Sequence, residues 1–110
     1  MPELPEVEVV RSDLSRILKA KPKIVRFEFK RKDLRDPMPV AKLKKLEGSR
    51  ILAVHRRAKY LLFETEKGGI LSHLGMTGTW RVAAIGEEKS HDHIYIHLSD
   101  GQRLAFRDPR

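Results

Sequence analysis

The chain has 110 residues, 40% of them apolar, and its 23 lysines and arginines exceed its 15 acidic residues, which gives a formal net charge of +8. This length suits one domain with a real core. The charge indicates a polyanionic partner, nucleic acid first and an anionic membrane surface second, unless it serves solubility alone. The absence of cysteine excludes disulfides and thiolate zinc sites, and no apolar run approaches the ~20 residues of a membrane span. The N-terminus also lacks a signal-peptide core, so we expect a cytoplasmic protein.

The first twenty residues predict an amphipathic helix. Apolar residues recur there every three or four positions, Pro5 suits the first turn, and Pro22 is expected to end the helix. The positions expected to face the core are Val7, Val10, Leu14, Ile17 and Leu18.

A strand and a second, shorter helix are predicted next. Val25, Phe27 and Phe29 alternate with charged residues, which predicts a strand. Residues 31–39 carry two prolines and several charges and are expected to form a loop. The short helix that follows is expected to stop at Gly48. Its inward positions are Val40, Leu43 and Leu46.

The rest of the chain predicts strands. Short apolar runs are separated by turn signals, including the hairpin signal Asp100-Gly101, and no helical pattern lies between them. Such a series indicates an antiparallel sandwich or barrel, and the polar residues 85–91 are expected to form a mobile loop. The predicted strands are 51–55, 60–64, 70–74, 79–83, 93–98 and 103–107.

The N-terminus is the first candidate for chemistry. If Met1 is removed, the chain begins with the secondary amine of Pro2 beside the carboxylate of Glu3. An α-amino group titrates near pH ~8, so part of it is nucleophilic at neutral pH and forms Schiff bases with carbonyl carbons. Retention of Met1 would turn the Pro2 nitrogen into an amide. The alternative is that these residues only start a helix, where proline and acidic side chains are common.

Two further segments suit contact with DNA. Arg56, Arg57 and Lys59 place three cations between two predicted strands, where they form either a phosphate-binding loop or a solvated basic turn. Met76 lies between two glycines at the end of an apolar strand. A methionine there is either a core side chain, which is the ordinary outcome, or an apolar wedge that separates bases.

The histidines offer a weaker signal. His91 and His93 alternate around Asp92, and on a strand they would share a face, as two metal ligands might. No further ligands are concentrated nearby, so phosphate contact or local hydrogen bonding suits this pair better. His55 and His97 are expected to be structural or exposed.

Taken together, these motifs resemble the N-terminal domain of the formamidopyrimidine-DNA glycosylases, bacterial enzymes of base-excision repair. Five segments carry the resemblance, in the family's order and at compatible spacings: PELPEVE at 2–8, RRAKYLL at 56–62, HLGMTG at 73–78, HDH at 91–93 and DPR at 108–110. The related endonuclease VIII enzymes also begin with Pro-Glu. The LPEVE continuation and the Met76 loop favour the formamidopyrimidine branch.

The resemblance implies a covalent mechanism. Pro2 would attack C1′ of the damaged nucleotide, release 8-oxoguanine or a formamidopyrimidine and form an imine with DNA, and β- and δ-elimination would follow. Glu3 would act as general acid and base around the sugar. Lys59 resembles the family lysine that contacts phosphate and donates a proton in strand scission. Glu6 would be a supporting carboxylate near the amine.

The resemblance also implies how DNA is held. The lesion must leave the helix before an amine can reach C1′. Met76 would then fill the void, and Arg110 would pair with the orphaned opposite base. His73 and His91 would contact backbone phosphates. The basic turn is expected to add phosphate contacts through Arg56 and Arg57.

The implied fold is α+β and mainly β: a two-layer antiparallel β-sandwich flanked by an N-terminal helix and a second short helix. Residues 1–110 would form the N-terminal catalytic domain. The family's helix–two-turns–helix module and C-terminal zinc finger lie outside this sequence, so we expect no cofactor in this chain and weak binding and turnover by it alone. The expected partner is damaged double-stranded DNA, with a monomeric protein in the bacterial cytoplasm and no membrane partner.

Two alternatives of other classes stay open. A basic domain could bind nucleic acid without catalysis, in which case substitution of Pro2 would change nothing. It could also dock onto an anionic membrane or a protein, and its binding would then ignore abasic lesions.

Overall fold

The computed structural model describes residues 4–30, 40–74 and 78–109 of the chain. Helices and strands alternate only in the first part, and strands fill the remainder. In chain order the elements are α1 (Leu4–Ile17), β1 (Ile24–Phe29), α2 (Val40–Lys44), β2 (Ile51–Arg57), β3 (Tyr60–Thr65), β4 (Gly68–His73), β5 (Thr79–Val82), β6 (Asp92–Leu98) and β7 (Arg103–Arg107).

The strands form two antiparallel sheets that pack face to face. One sheet has the order β1-β6-β7-β5 and the other the order β2-β3-β4. Their inner faces bury one continuous apolar core, in which the Phe63 ring of one sheet meets the Trp80 ring of the other edge to face at 5.1 Å. The predicted class, a two-layer antiparallel sandwich with two flanking helices, is confirmed.

Helix α1 covers one side of the sandwich through an apolar stripe. Val7, Leu14 and Leu18 are buried, as the spacing predicts, and the helix contacts β2, β3 and β5. It ends at Ile17, earlier than the predicted stop at Pro22. The reason is local: a turn follows, and Lys21 takes a φ of +54° and donates its N–H to the carbonyl of Leu18 at 2.9 Å.

Strand β1 departs from the predicted alternation. Ile24 and Phe27 are buried, whereas Val25 is 54% exposed. The pairing of β1 with β6 shifts register between Ile24 and Arg26. A β-bulge of this kind adds one residue to one strand and reverses the faces that follow it.

The other six strands lie where the sequence predicts them, with ends that differ by at most two residues. Residues 85–91 connect β5 and β6 as the expected irregular segment. Their mobility stays a prediction, although Arg81 and Arg103 donate hydrogen bonds to backbone carbonyls at 87 and 84. Within the described ranges, neither helix is long and apolar enough to cross a membrane.

Candidate active site and nucleic-acid interface

One end of the sandwich collects the candidate residues that the structure describes. Strand β2 ends at Arg57, β3 begins at Tyr60 and β4 ends at His73, so these residues lie side by side at one end of the strands of their sheet. In the other sheet, the start of β6 and the start of β5 both pair with Arg107 at the end of β7. The short link from β4 to β5 connects these ends of the two sheets. We call this end of the sandwich, with the turn at 58–59, the Lys59 end.

An ion pair holds the start of α1 against this end. Glu8, one turn into the helix, accepts hydrogen bonds from Arg11 at 2.9 Å and from Arg56 of β2 at 3.0 Å. Glu6 is exposed in the first turn of the helix. Pro2 and Glu3, which precede the helix, lie outside the described residues.

The Glu8 pair is a feature that the sequence analysis missed. Hydrogen bonds from Arg11, and then from Arg56, lower the pKa of Glu8 to about 2, so this carboxylate is charged throughout the neutral range. Because Arg56 also donates to the carbonyl of Ala58 at 3.2 Å, its guanidinium joins the helix to the basic turn. The i,i+3 spacing of Glu8 and Arg11 could have indicated half of this contact. The partner 48 residues away could not be read from any spacing.

The turn that presents Lys59 is short and tightly shaped. Arg57 pairs with Tyr60, which leaves Ala58 and Lys59 as the two turn residues. Ala58 has a φ of +52°, whereas Lys59 does not have a positive φ. Lys59 is half-buried and Arg57 is exposed.

His73 is held by an aromatic neighbour. Its ring stacks on that of Tyr60, with centroids 4.6 Å apart and planes at 25°. The two residues are direct partners in the β3–β4 pairing, and both are exposed. The stack fixes the orientation of the imidazole beside the basic turn.

A backbone hydrogen bond connects the first and last residues of the link between β4 and β5. Gly78 donates its N–H to the carbonyl of Leu74 at 2.8 Å. A Cβ on Gly78 would lie 2.5 Å from that same oxygen and 3.1 Å from the Phe106 ring. Trp80 packs against Phe106 and donates its indole N–H to Ser72 at 2.9 Å. Met76 itself lies outside the described residues.

His91 and His93 do not share a face, because His91 precedes strand β6. His91 is exposed and has a φ of +70°, whereas His93 is buried and donates from Nε2 to the carbonyl of Asp108 at 2.7 Å. The positive φ and a register shift between Asp92 and Ile94 break the expected alternation. In the part of the chain that the structure describes, no three histidines or carboxylates are grouped to hold a metal ion.

A buried carboxylate organises the segment before β6. Asp92 accepts two hydrogen bonds from Arg81, at 2.7 and 2.9 Å, one from the Tyr95 hydroxyl at 2.7 Å and one from the Lys89 backbone at 2.9 Å. Burial alone would raise the pKa of Asp92, but these donors outweigh it and hold the pKa well below its usual range. Burial and the nearby Asp92 raise the pKa of Tyr95 to about 12.

This network places His91 beside the end of β7. The backbone N–H of Asp108 donates to the carbonyl of His91 at 3.0 Å, while the Asp108 carbonyl receives the His93 bond. Arg110 follows two residues later, outside the described range. The remaining histidines pair with carboxylates, His55 with Glu64 and His97 with Glu28.

The structure therefore brings together many of the predicted site residues without describing all of them. Those at the Lys59 end are Glu6, Arg56, Arg57, Lys59, His73 and His91. Those outside the described residues are Pro2, Glu3, Met76 and Arg110. Cationic and hydrogen-bonding groups at one end of a rigid sandwich suit a phosphate backbone.

Known proteins match this chain over its whole length. A family profile described as formamidopyrimidine-DNA glycosylase N-terminal domain matches residues 1–110. The formamidopyrimidine-DNA glycosylase of Bdellovibrio bacteriovorus is 60% identical over 110 residues, which are 100% of this chain and 41% of that protein. That of Stenotrophomonas maltophilia is 46% identical over 112 residues, with 100% of this chain and 41% of that protein covered.

Solved structures of such proteins with DNA contain a domain of similar fold. The Lactococcus lactis FPG (MutM) in complex with a FAPY-dG containing DNA has a TM-score of 0.83 and 34% identity, covering 96% of this chain and 40% of that one. MutM in complex with carbocyclic 8-oxo-G containing DNA has a TM-score of 0.86 and 35% identity, covering 99% of this chain and 41% of that one. The present chain thus spans about two fifths of the length of these relatives.

Proposed function

The chain belongs to the formamidopyrimidine-DNA glycosylase N-terminal domain family, and from this we propose that it carries the catalytic groups of a DNA glycosylase and abasic-site lyase acting on oxidised purines. The proposed substrates are 8-oxoguanine and formamidopyrimidines in duplex DNA. The observation that most supports the proposal is the convergence of Lys59, His73 and His91 with the start of α1 at one end of the sandwich. Relatives of this fold have been solved with DNA containing such lesions.

In the proposed reaction, the Pro2 nitrogen forms a bond to C1′ and loses its proton, while the glycosidic C1′–N bond breaks and the base leaves with a proton on its nitrogen. The C1′–O4′ bond then opens, O4′ takes a proton from Glu3, and the nitrogen and C1′ become an iminium ion. The start of α1, held by Glu8 and Arg56, is the support from which this amine would act. Glu6, exposed in the first turn, would add a second carboxylate near the amine.

Strand cleavage follows from the acidity that the iminium gives to C2′. Loss of a C2′ proton breaks the C3′–O bond and releases the 3′ phosphate, and loss of a C4′ proton then breaks the C5′–O bond. Lys59 would donate a proton to a departing phosphate, since its turn directly precedes Tyr60, whose ring stacks on that of His73. Hydrolysis of the imine returns the amine.

DNA binding would use the rest of the Lys59 end. Arg57, Arg56 and the two histidines His73 and His91 would contact phosphates. Met76 would enter the void left by the extruded base, since an apolar wedge offsets part of the few kcal/mol needed for unstacking. Arg110 would face the opposite base.

The experiment that tests this proposal is borohydride trapping of the chain on a duplex with one abasic site. Borohydride reduces an imine to a stable amine, so a covalent protein–DNA adduct is expected in the intact mass. Peptide mapping should locate the adduct on the N-terminal peptide that begins at Pro2, and Pro2→Gly should reduce its yield.

Lys59→Gln is the matched control for the lyase half of the proposal. It should leave trapping intact but slow strand scission, because it removes a proton donor and not the nucleophile. An adduct on a lysine, or no adduct from a chain whose mass shows that Met1 is gone, would contradict the proposed mechanism. DNA binding that ignores abasic sites would favour a non-catalytic binding module.

A further inference from the structure

A second basic surface lies at the other end of the sandwich. Strand β2 begins there, β3 ends and β4 begins. Arg50 forms an isolated bridge with Lys23 and donates from its guanidinium to the carbonyl of Lys21 at 3.0 Å. Lys67 donates to the carbonyl of Glu47 at 3.1 Å, two residues after Lys45. We call Lys21, Lys23, Lys45, Arg50 and Lys67 the distal basic surface.

The cations of this surface lack carboxylate partners. Among the described residues, none of the five lies within 4.0 Å of an acidic side chain. The nearby carboxylates of Glu47 and Glu66 accept bonds from backbone amides instead, at 2.9 and 2.8 Å. Six arginines elsewhere are paired with acids, whereas Arg57 and Arg107 form no ion pair among the described residues; the paired ones are Arg11, Arg16, Arg26, Arg56, Arg81 and Arg103. The cations of the distal basic surface therefore outnumber the nearby carboxylates and form no ion pair with them.

Its distance from the Lys59 end is fixed by the strands. Strand β3 runs the whole way from the basic turn to Thr65, about 17 Å at ~3.3 Å per residue. The distal cations lie beyond the far end of that strand. A straight duplex that lies across the Lys59 end, with its axis at right angles to β3, would therefore not reach them.

The chemistry of the surface favours a phosphate backbone as its ligand. Docking to proteins and insertion into membranes are anchored chiefly by apolar or aromatic side chains. The exposed large apolar side chains of the described residues lie elsewhere, apart from a lone Val25 near Lys23. Contacts to phosphate need only exposed cations, and all five side chains are exposed.

We propose that the distal basic surface binds the backbone of a second DNA segment while the first occupies the Lys59 end. The inference rests on the proposed function, because that function assigns the Lys59 end to the lesion-containing duplex. A protein that holds two segments can pass from one to the other without full release. The distal basic surface would thus serve the search for lesions and leave the chemistry unchanged.

The test begins with the chain trapped by borohydride on an abasic duplex of about 12 base pairs, roughly 40 Å long at 3.4 Å per pair. The Lys59 end is then permanently occupied. A labelled, lesion-free duplex is titrated into this adduct at several salt concentrations, and its binding is followed by fluorescence anisotropy. We expect a second duplex to bind in a salt-dependent manner.

Two triple variants with equal charge separate this surface from net charge. Lys21→Gln, Lys23→Gln and Lys45→Gln together should weaken second-duplex binding by about tenfold or more and reduce the logarithmic salt slope by up to about 3. The control triple, Arg16→Gln, Arg26→Gln and Lys30→Gln, removes cations that already face carboxylates and should change binding far less. Thermal unfolding midpoints equal to wild type establish that both triples fold, and single substitutions replace a triple that does not.

The outcomes distinguish this inference from the proposed function. The inference is overturned if the adduct forms but binds no second duplex, if the distal triple binds it as wild type does, or if the control triple loses as much. Failure to form any adduct contradicts the proposed function instead. In that case, lesion-free duplex is titrated into the untreated chain. Loss of binding in the distal triple but not in Lys59→Gln would still support DNA binding by the distal basic surface. Loss of binding in Lys59→Gln but not in the distal triple would overturn it.

Discussion

Asp92 shows how one side chain determines the shape of a surface segment. Its side chain is only 1% exposed, yet it stays ionised because four hydrogen bonds reach its two oxygens. Arg81, which supplies two of them, also donates to the carbonyl of Glu87 at 2.9 Å. The position of His91 therefore depends on a charge buried directly beneath it.

We expect Asp92→Asn to destabilise the domain by about 3 kcal/mol, because it leaves the guanidinium of Arg81 without its counter-charge in a largely buried site. Urea denaturation of the two chains measures the difference in the free energy of unfolding. The control is Asp13→Asn, which breaks an exposed pair with Arg16 that is worth less than about 1 kcal/mol. Equal losses in the two variants would contradict a structural role for the buried charge.

The stack of Tyr60 on His73 yields a second prediction for single residues. Tyr60→Leu should weaken duplex binding by a factor of about 2 to 10, equivalent to the ~0.5–1.5 kcal/mol of an aromatic pair, because the imidazole loses the ring that orients it. Tyr60→Phe keeps the ring and should bind as wild type does. Equilibrium binding of a DNA duplex at fixed salt concentration measures the effect of both variants. A loss of binding in Tyr60→Phe would show that the tyrosine hydroxyl matters instead of the ring.

The individual site residues could be predicted from the sequence only where contact is local. Glu8 and Arg11 are three residues apart on a helix, and their pairing follows from that spacing. The partners of Asp92 come from two strands and a loop, and only the folded sheet brings them together. The two histidines at 91 and 93 take opposite environments because a positive φ and a bulge intervene, and neither is visible in the residue pattern.

Among the elements, the link from β4 to β5 depends most on one small residue. We expect Gly78→Ala to destabilise the domain by about 1–3 kcal/mol, because the new Cβ would lie 2.5 Å from the Leu74 oxygen and would crowd the Phe106 ring. Chemical denaturation measures this loss. Trapping yield on an abasic duplex should fall as well if the adjacent segment acts on DNA.

Gly69→Ala is the matched control in β4. Its Cβ would lie 3.0 Å from a terminal methyl of Leu62, an exposed side chain that can move aside, so the free energy of unfolding should change little. If Gly69→Ala lowers the free energy of unfolding as much as Gly78→Ala does, the loss comes from replacing any glycine and not from the close contact with the Leu74 oxygen.

The strands were predictable from the sequence because turn signals bracket each apolar run. The hairpin at Asp100-Gly101, for example, joins β6 and β7 as expected, with Gly101 at a φ of +87°. The end of α1 and the faces of β1 were not predictable. Neither the left-handed conformation of Lys21 nor the bulge before Arg26 is visible in the residue pattern.

At the scale of the whole molecule, the carboxylates make stability sensitive to acid. The pKa values of Glu8, Glu28, Glu88 and Asp92 are all lowered, chiefly by hydrogen bonds from arginines or His97, with burial opposing the shift most strongly at Asp92. A lowered folded-state pKa stabilises the protein above the unfolded pKa, and the effect is lost as the pH falls through the folded value.

We therefore expect the free energy of unfolding to be nearly constant from pH 7 to 5 and to fall from about pH 4.5 downward. Urea denaturation at a series of pH values measures the curve. Glu8→Gln should make the curve of unfolding free energy less steep between about pH 4.5, the ordinary pKa of a glutamate, and about pH 2. A stability that rises on acidification would show that these ion pairs are absent in solution.

The left-handed φ of Ala58 has a consequence for the unfolded chain as well. Glycine at this position would relieve about 1 kcal/mol of steric strain. It would also give the denatured ensemble more conformations to lose on folding, at a cost of about 0.4–1 kcal/mol. Because the two effects nearly offset, Ala58→Gly should unfold at the same urea concentration as wild type while its turn amides exchange hydrogen faster. Alanine thus makes the segment that carries Lys59 less flexible without a net loss of stability.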